Sequence, residues 1–470
     1  MTRTSARTTE RAANRLESRQ VWQLAVICGT QFLIALDYSI INVAAPSIRD
    51  GLSLTSGAGL AWVLSAYPLA FCGFLLLGGR IADLYGRKRV FIWSLMGFML
   101  ASLVAGLAWS PEVLIAGRAL QGVAAAFIAP AGLGLLQATI PEGAQRDRAL
   151  GIYGAALSAG FVSGMVLGGV LTEFAGWRSV FLINVPIVLF ACVVARKFLE
   201  ESRDTKASRY LDIPGTALVT IGLVALVFAV TEGGEYGWTS LPIVLSAAIA
   251  IPAVALFIWV ESRKDSALLP ISIFRRAAIG PANLINLLLT CSYGGMLFIL
   301  TLYVQTHLKL SVLLTGLVFA VSGAVAIVTG IYGDRLTERF GLYRVLVAAI
   351  AIETVGILIM VGLPESYGLV LILVGTSINA FGHIIALIGT SIAGTNRVEE
   401  GRRATAGALI NVSQQLGLAI GIGVVTSVAA SFGGASLEGW RWALWCTAGV
   451  AAVAVLMVVL YRKRFKGEVT

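Results

Sequence analysis

The sequence predicts an all-α membrane protein of fourteen transmembrane helices, arranged as two related six-helix bundles with two inserted helices between them. Three observations predict it. Apolar side chains make up 57% of the 470 residues and charged ones only 13%, where soluble domains carry roughly 25% charged residues. A short charged loop is written twice, from Gly79 to Phe91 and from Asp334 to Leu346, so that Asp83 and Glu338 lie 255 residues apart. Lysine and arginine crowd every second connection between apolar runs, as expected when successive helices cross a bilayer in alternation.

A spanning helix needs about 20 mostly apolar residues, and fourteen runs meet that length. Span 1 (22–47) follows a polar tail, 1–21, and has no small-residue cleavage site, so it is expected to act as its own insertion signal. Spans 2 (59–81) and 3 (90–109) flank the first charged loop. Span 4 (112–139) carries Arg118 and Gln121. Span 5 (149–172) carries Gly160 and Gly164 at four-residue spacing, then Gly168 and Gly169, and span 6 (179–197) completes the first unit.

Spans 7 (213–231) and 8 (240–260) are the insert, bounded by the most charged connections, Glu200 to Asp212 and Glu261 to Arg276. The second unit holds spans 9 (278–305), 10 (311–333), 11 (345–363), 12 (368–394), 13 (404–430) and 14 (440–461). A second echo, Gly417 and Gly421 in span 13, lies 257 residues after the glycine pair of span 5. Halves eight spans apart fit a six-plus-two-plus-six order, and duplicated halves are the usual architecture of alternating-access carriers. The expected units are a tail (1–21), a bundle (22–198), an insert with its flanking loops (199–277), a second bundle (278–462) and a tail (463–470).

The basic connections include Arg80, Arg87, Lys88 and Arg89, then Arg146, Arg148, Arg196, Lys197, Arg263, Lys264, Arg335, Arg339, Arg344, Arg402, Arg403 and Arg462 to Lys466. The alternate set holds only Arg49, Arg178, Lys309 and Arg441. This split puts both termini in the cytoplasm of a multi-pass cell-membrane protein. It also accounts for the net charge of +10 through helix orientation and anionic headgroups, leaving no call for nucleic-acid binding.

Cys28, Cys72, Cys192, Cys291 and Cys446 all fall within apolar spans, without metal-ligand spacing. There is no Walker loop, dinucleotide fingerprint or HExxH motif, so neither a cofactor nor an enzymatic activity is expected. A membrane sensor or lipid-modifying enzyme would need a soluble domain or a catalytic cluster, and neither is visible.

Four ionisable groups stand inside spans, where insertion costs about 2.5–3.5 kcal/mol each: Asp37, Arg118, Glu353 and His383. Asp37 and Arg118 lie at similar depth in spans 1 and 4. They are read either as a proton acceptor with its modulator or as a static buried ion pair. Glu353, mid-span, is a candidate coupling residue. His383, beside Asn379, is read as a neutral polar contact or as a contact for substrate or proton. Asn286 and Tyr293 in span 9 are candidates for the cavity, against a default of helix bridging by amides. Trp62, Tyr67, Phe127 and Phe161 are candidate linings for flat hydrophobic ligands. The small-residue stripe of span 5 permits either plain close packing or a sliding contact between repeats.

At these residues the chain resembles the major facilitator superfamily, and within it the fourteen-helix drug/proton antiporter branch, over essentially residues 20–462. Gly79 to Arg89 is similar to the signature loop Gly-x-Leu-Ala-Asp-Arg-x-Gly-Arg-Lys, with Ile81 for Leu and Leu84 for Arg. Arg118 to Gly122 is similar to the helix 4 motif Arg-x-x-Gln-Gly. Leu36 to Pro46 resembles the helix 1 element of proton-coupled exporters, and Trp177 to Pro186 the entry to helix 6. Two departures matter. Gln414 stands where the branch has an arginine, and Met165 replaces the proline of the helix 5 antiporter motif, removing a kink.

The resemblance implies a major facilitator fold in which helices 1, 4, 9 and 12 line a cavity holding Asp37, Arg118, Gln121, Asn286 and His383, with Glu353 on a peripheral helix. It also implies proton-coupled export of small hydrophobic or cationic drugs or metabolites by a functional monomer, in contact with protons, substrate and lipid. Asp83, Gly79, Gly86, Arg87 and Arg89 form the expected cytoplasmic gate. Uptake or facilitated diffusion on the same fold is the alternative that Met165 keeps open.

Overall fold

The structure, a computed structural model, describes residues 18–54, 56–204, 211–264, 269, 273–274, 278–364, 368–395, 398 and 403–466. Most of the expected N-terminal tail, the end of the C-terminal tail and parts of the loops flanking the insert lie outside these residues. Among the described residues, fourteen helices are long and apolar enough to cross a membrane. They are α1 (Ser18–Gly51), α2 (Gly57–Tyr85), α3 (Arg87–Gly106), α4 (Pro111–Thr139), α5 (Ala144–Ala175), α6 (Ser179–Phe198) and α7 (Ile213–Tyr236). Then follow α8 (Leu241–Arg263), α9 (Ile279–Leu302), α10 (Val312–Phe340), α11 (Leu342–Val361), α12 (Gly368–Thr395), α13 (Arg403–Ser431) and α14 (Leu437–Leu460).

Several helices outrun their apolar spans by a turn or more. α1 starts four residues before span 1, and α5 starts at Ala144 rather than 149, because charged residues are tolerated once a helix leaves hydrocarbon. Helix ends follow their caps. Ser56, Ser110, Ser311 and Ser436 each accept a backbone N–H at the start of a helix, which satisfies one of the orphan donors there. α9 continues into a π-helical turn, Tyr303–His307, that the apolar pattern did not reveal.

The first bundle is built on α1 against α5 and α2 against α4; the second repeats this eight helices later, with α9 against α13 and α10 against α12. Glycine makes the first of these contacts possible in both halves. A Cβ on Gly164 would stand 2.6 Å from the Leu36 carbonyl of α1, and one on Gly168 2.7 Å from that of Ile40; Gly160 lies against Phe32 in the same way. Gly417 and Gly421 meet Leu287 and Cys291 of α9 identically. The stripe is therefore packing within a bundle, with one exception: Gly169 faces Val312 and Leu313 of α10, across the seam between bundles.

The inserted pair, α7 and α8, packs on itself, and α7 lies along the other seam, touching both α2 and α13. Trp62 Nε1 of α2 donates to Glu232 Oε1 of α7 at 2.9 Å. Thr220 lies against Gly73 of α2, and Thr231 against Gly423 of α13. At the start of the pair, Lys264 Nζ bonds the buried Asp212 Oδ1 at 2.6 Å, tying the end of α8 to the beginning of α7.

With an even number of spans, both described chain ends lie on one face, the terminal face. Toward the opposite, far face, a single apolar core joins the bundles: Leu36 to Ile48, Leu60 to Leu64, Met296 to Val304, Phe319, Ile422 and Trp440. Toward the terminal face each bundle has its own core, one around Phe91, Phe98 and Leu135, the other around Leu346, Ile385 and Val458, while at the seam along α7 the bundles stay in apolar contact through Leu69, Cys72, Val227 and Ala419. The α5–α10 seam shows the same asymmetry. Val162, Met165 and Gly169 meet Gly323, Gly316 and Leu313, while Gly154 and Gly151, further along the same stripe, have open space within 4 Å. The α5–α10 seam is thus closed toward the far face and parted toward the terminal face.

Candidate functional site

Asp37 and Arg118 meet at the centre of the first bundle, both 0% exposed. Arg118 Nη1 donates to Asp37 Oδ2 at 2.6 Å and to Gln121 Oε1 at 2.8 Å. Asp37 Oδ1 accepts from Gln121 Nε2 at 3.0 Å and from Asn184 Nδ2 at 2.6 Å. Both amides also reach Ser102 Oγ, at 2.8 and 3.3 Å. Four helices thus converge on one carboxylate: α1, α3 through Ser102, α4 and α6.

A charge in this setting is held by its partners or not at all. Asp37 has three donors. Arg118 is less well served: its guanidinium lies over the Tyr67 ring at 4.7 Å and the Phe181 ring at 5.9 Å, and its Nε and Nη2 have no hydrogen-bond partner. The network is therefore satisfied on the acid side and incomplete on the base side, which makes it sensitive to any change in the charge of Asp37.

Gln121 belongs to this buried cluster and not to a cavity wall. Asn286, also 0% exposed, donates to Ile410 O and Ser413 Oγ of α13 and accepts from Thr390, so it bridges α9, α12 and α13. Asn184 and Ser102 were not singled out in the sequence. Asn184 has a signal there, an amide within the apolar run that opens span 6, whereas Ser102 has none.

A second ionisable centre lies in the other bundle. Glu353 Oε1 of α11 meets His383 Nδ1 of α12 at 3.1 Å, with exposures of 0% and 4%. Although α11 was expected to be peripheral, Glu353 turns inward, because glycines bring the helices together: a Cβ on Gly382 would stand 2.5 Å from the Glu353 amide nitrogen. Asn379 Nδ2 donates to the Glu353 carbonyl at 3.3 Å.

Rings connect the two centres. Arg118 lies over Tyr67; Tyr67 neighbours Tyr38, Tyr38 neighbours Phe161, and Phe161 of α5 neighbours Tyr293 of α9, each at 6.4 Å between centroids. Tyr293 stacks on His383 at 4.4 Å and 14°. The Phe161–Tyr293 step crosses between bundles, and both side chains are only partly buried.

The duplicated loop forms the same turn twice. Gly86 (φ +109°) joins α2 to α3 and Gly341 (φ +82°) joins α10 to α11, backbone conformations that glycine adopts without strain. Among the described residues, the ties lie at the first copy. Asp83 Oδ1 pairs with Arg87 at 2.8 Å, and Arg87 Nη1 reaches Gly134 O of α4 at 3.3 Å. Glu201, beyond α6, accepts from the Lys88 and Arg89 backbone N–H groups at 3.0 and 3.2 Å, an acid at the start of α3. Lys88 Nζ bonds Leu199 O at 2.6 Å. Gly79 packs on Pro130 of α4. All these ties join the turn to the first bundle or to the segment that follows α6, and among the described residues no ion pair involves Glu338 or Arg344. Glu201 went unnoticed because it is remote in sequence from the loop it caps.

Comparison with known proteins agrees with this architecture. The model of the Major Facilitator Superfamily matches residues 27–422 and 282–469. A puromycin resistance protein, pur8, of Streptomyces alboniger is 35% identical over 88% of this chain and 82% of its own length. The cephamycin export protein CmcT of Amycolatopsis lactamdurans is 39% identical over 87% and 85%, and the multidrug resistance protein Stp of Mycobacterium tuberculosis 32% over 87% and 75%. Among solved structures, a bacterial homologue of the lysosomal transporter Spinster, in an inward-facing, unoccupied conformation, superposes with a TM-score of 0.69 at 17% identity over 96% of this chain and 98% of that one. The peptide transporter PepTSo gives 0.70 at 15% identity over 95% and 99%. With fourteen spanning helices, a duplicated bundle and relatives of this kind along most of its length, the chain is a multi-pass secondary transporter of small molecules, not an enzyme, and belongs to the Major Facilitator Superfamily.

Proposed function

We propose that the protein is a proton-coupled exporter of small hydrophobic or cationic compounds, acting as a monomer in the cell membrane with both termini in the cytoplasm. The observation that carries the coupling is the buried Asp37–Arg118 pair, whose guanidinium keeps two nitrogens, Nε and Nη2, without partners. Protonating Asp37 removes the only anion holding that guanidinium, and breaking a buried pair costs about 3–5 kcal/mol. A rearrangement of the four helices that meet at Asp37 relieves this cost, linking proton binding to a change of state. The relatives' roles in puromycin resistance, cephamycin export and multidrug resistance support export as its direction.

On this reading the terminal face is cytoplasmic, as its basic loops favour, and the parted α5–α10 seam admits substrate from that side. Residues 22–198 and 278–462 rock as units, with 199–277 as the insert between them. Asp83, Arg87 and Glu201 hold the α2–α3 turn to its own bundle while that side is open, and its release forms the gate. The test is drug tolerance and proton-linked efflux in cells expressing wild type and Asp37→Asn. Lost proton dependence is expected in the variant; undiminished proton-driven efflux refutes the assignment.

A further inference from the structure

We propose that Glu353 and His383 form a second proton-binding site, in the bundle opposite Asp37, so that the transport cycle has one titratable centre in each half. The inference rests on the proton-coupled reading above. Its basis is geometric. An imidazole and a carboxylate are in contact at 3.1 Å, 4% and 0% exposed, and Glu353 Oε2 has no hydrogen-bond partner.

Among the described residues no ion pair other than that with His383 involves Glu353. α12 presents His383, and α9 presents Tyr293, stacked on it. The buried residues of α14 in its middle turns are Thr447, Ala448, Ala451 and Ala454, and α11 buries no other ionisable group. With a neutral imidazole the pair therefore carries a net −1 in the membrane interior, where an uncompensated charge is costly. One added proton makes the pair neutral, and Glu353 Oε2, which has no hydrogen-bond partner, is the atom that takes it. The carboxyl holds the proton while the pair is shielded and gives it to water when a change of state exposes the pair. No other bond is made or broken.

The two centres follow opposite charge rules. Asp37–Arg118 is neutral without an extra proton, whereas Glu353–His383 is neutral with one. The partly buried Tyr293 carries the second centre to the seam, where its ring neighbours Phe161 of the other bundle.

The test uses the full chain in lipid nanodiscs and infrared difference spectra between acid and alkaline buffer. A carboxylic-acid carbonyl band is expected to titrate in wild type and in Asp37→Asn, to vanish in Glu353→Gln and to shift its titration in His383→Gln. In proteoliposomes with ethidium as the probe, Glu353→Gln is expected to keep counterflow, which needs no net proton movement, while accumulation driven by a pH gradient falls several-fold. An unchanged band in Glu353→Gln overturns the proposal and marks the pair as packing. Should Glu353→Gln fail to fold, an unshifted band in His383→Gln does the same. Full gradient-driven accumulation in Asp37→Asn sinks the Asp37 reading instead and leaves the infrared result for Glu353 to be judged alone.

Discussion

Removing one member of the Asp37–Arg118 pair should destabilise the protein far more than removing both. In Asp37→Leu, Arg118 keeps its charge at 0% exposure with only Gln121 Oε1 as a neutral acceptor. The expected loss is about 3–5 kcal/mol, on the order of 10²–10⁴ in the folded-to-unfolded ratio. In Asp37→Leu/Arg118→Met no charge remains, and Gln121 Nε2 and Asn184 Nδ2 still reach Ser102 Oγ, so most of the loss should be recovered. Paired charges replaced by apolar groups of similar volume are often neutral or stabilising. Reversible unfolding in mixed micelles gives the four free energies of the double-mutant cycle. A single-variant loss below about 1 kcal/mol, the range of an exposed ion pair, refutes the reasoning, as does a double variant no better than the single.

Further predictions concern packing and state. Gly164→Val should prevent α5 from seating on α1 and abolish a monodisperse size-exclusion peak, whereas Gly151→Val, with open space around it, should leave the peak intact. Gly86→Ala faces both φ +109° and the Glu201 carboxylate; it should cost about 1–3 kcal/mol, read as a lower melting temperature, while Gly237→Ala, with no atom within 4 Å of its Cβ, meets only the backbone term. Cysteines at Gly169 and Leu313 should crosslink readily without substrate, and cysteines at Gly154 and Gly330 should not; equally ready crosslinking of both pairs contradicts a seam parted at the terminal face. Glu232→Leu should loosen α7 from Trp62, seen as faster proteolysis of the loops around the insert.

The expected helix count and order match the structure because membrane helices are dictated by local physics. A backbone in hydrocarbon must satisfy its hydrogen bonds within the helix, so length, apolarity and flanking charge suffice to find the spans. The duplicated loop and the glycine pairs were legible for a related reason: a turn needing positive φ, or a backbone contact needing a missing Cβ, restricts residue type strongly. Helix ends were less legible, since polar residues continue a helix past the apolar run, and the π turn at Tyr303–His307 leaves no mark in hydropathy.

Membrane class, fourteen spans, internal duplication and the short roll of ionisable residues that must have a partner were therefore legible in the order of residues alone. Which partner each takes was decided only by tertiary structure, because the contacts join residues far apart in the chain: Asp37 with Arg118, Gln121 and Asn184, Glu353 with His383, Glu201 with the start of α3. Depth along a helix can be counted from sequence, but the direction in which a side chain turns around that helix depends on how neighbouring helices pack. For the same reason Gln121 and Asn286 turned from cavity candidates into buried bridges, and Glu353 from a peripheral acid into half of a shielded pair.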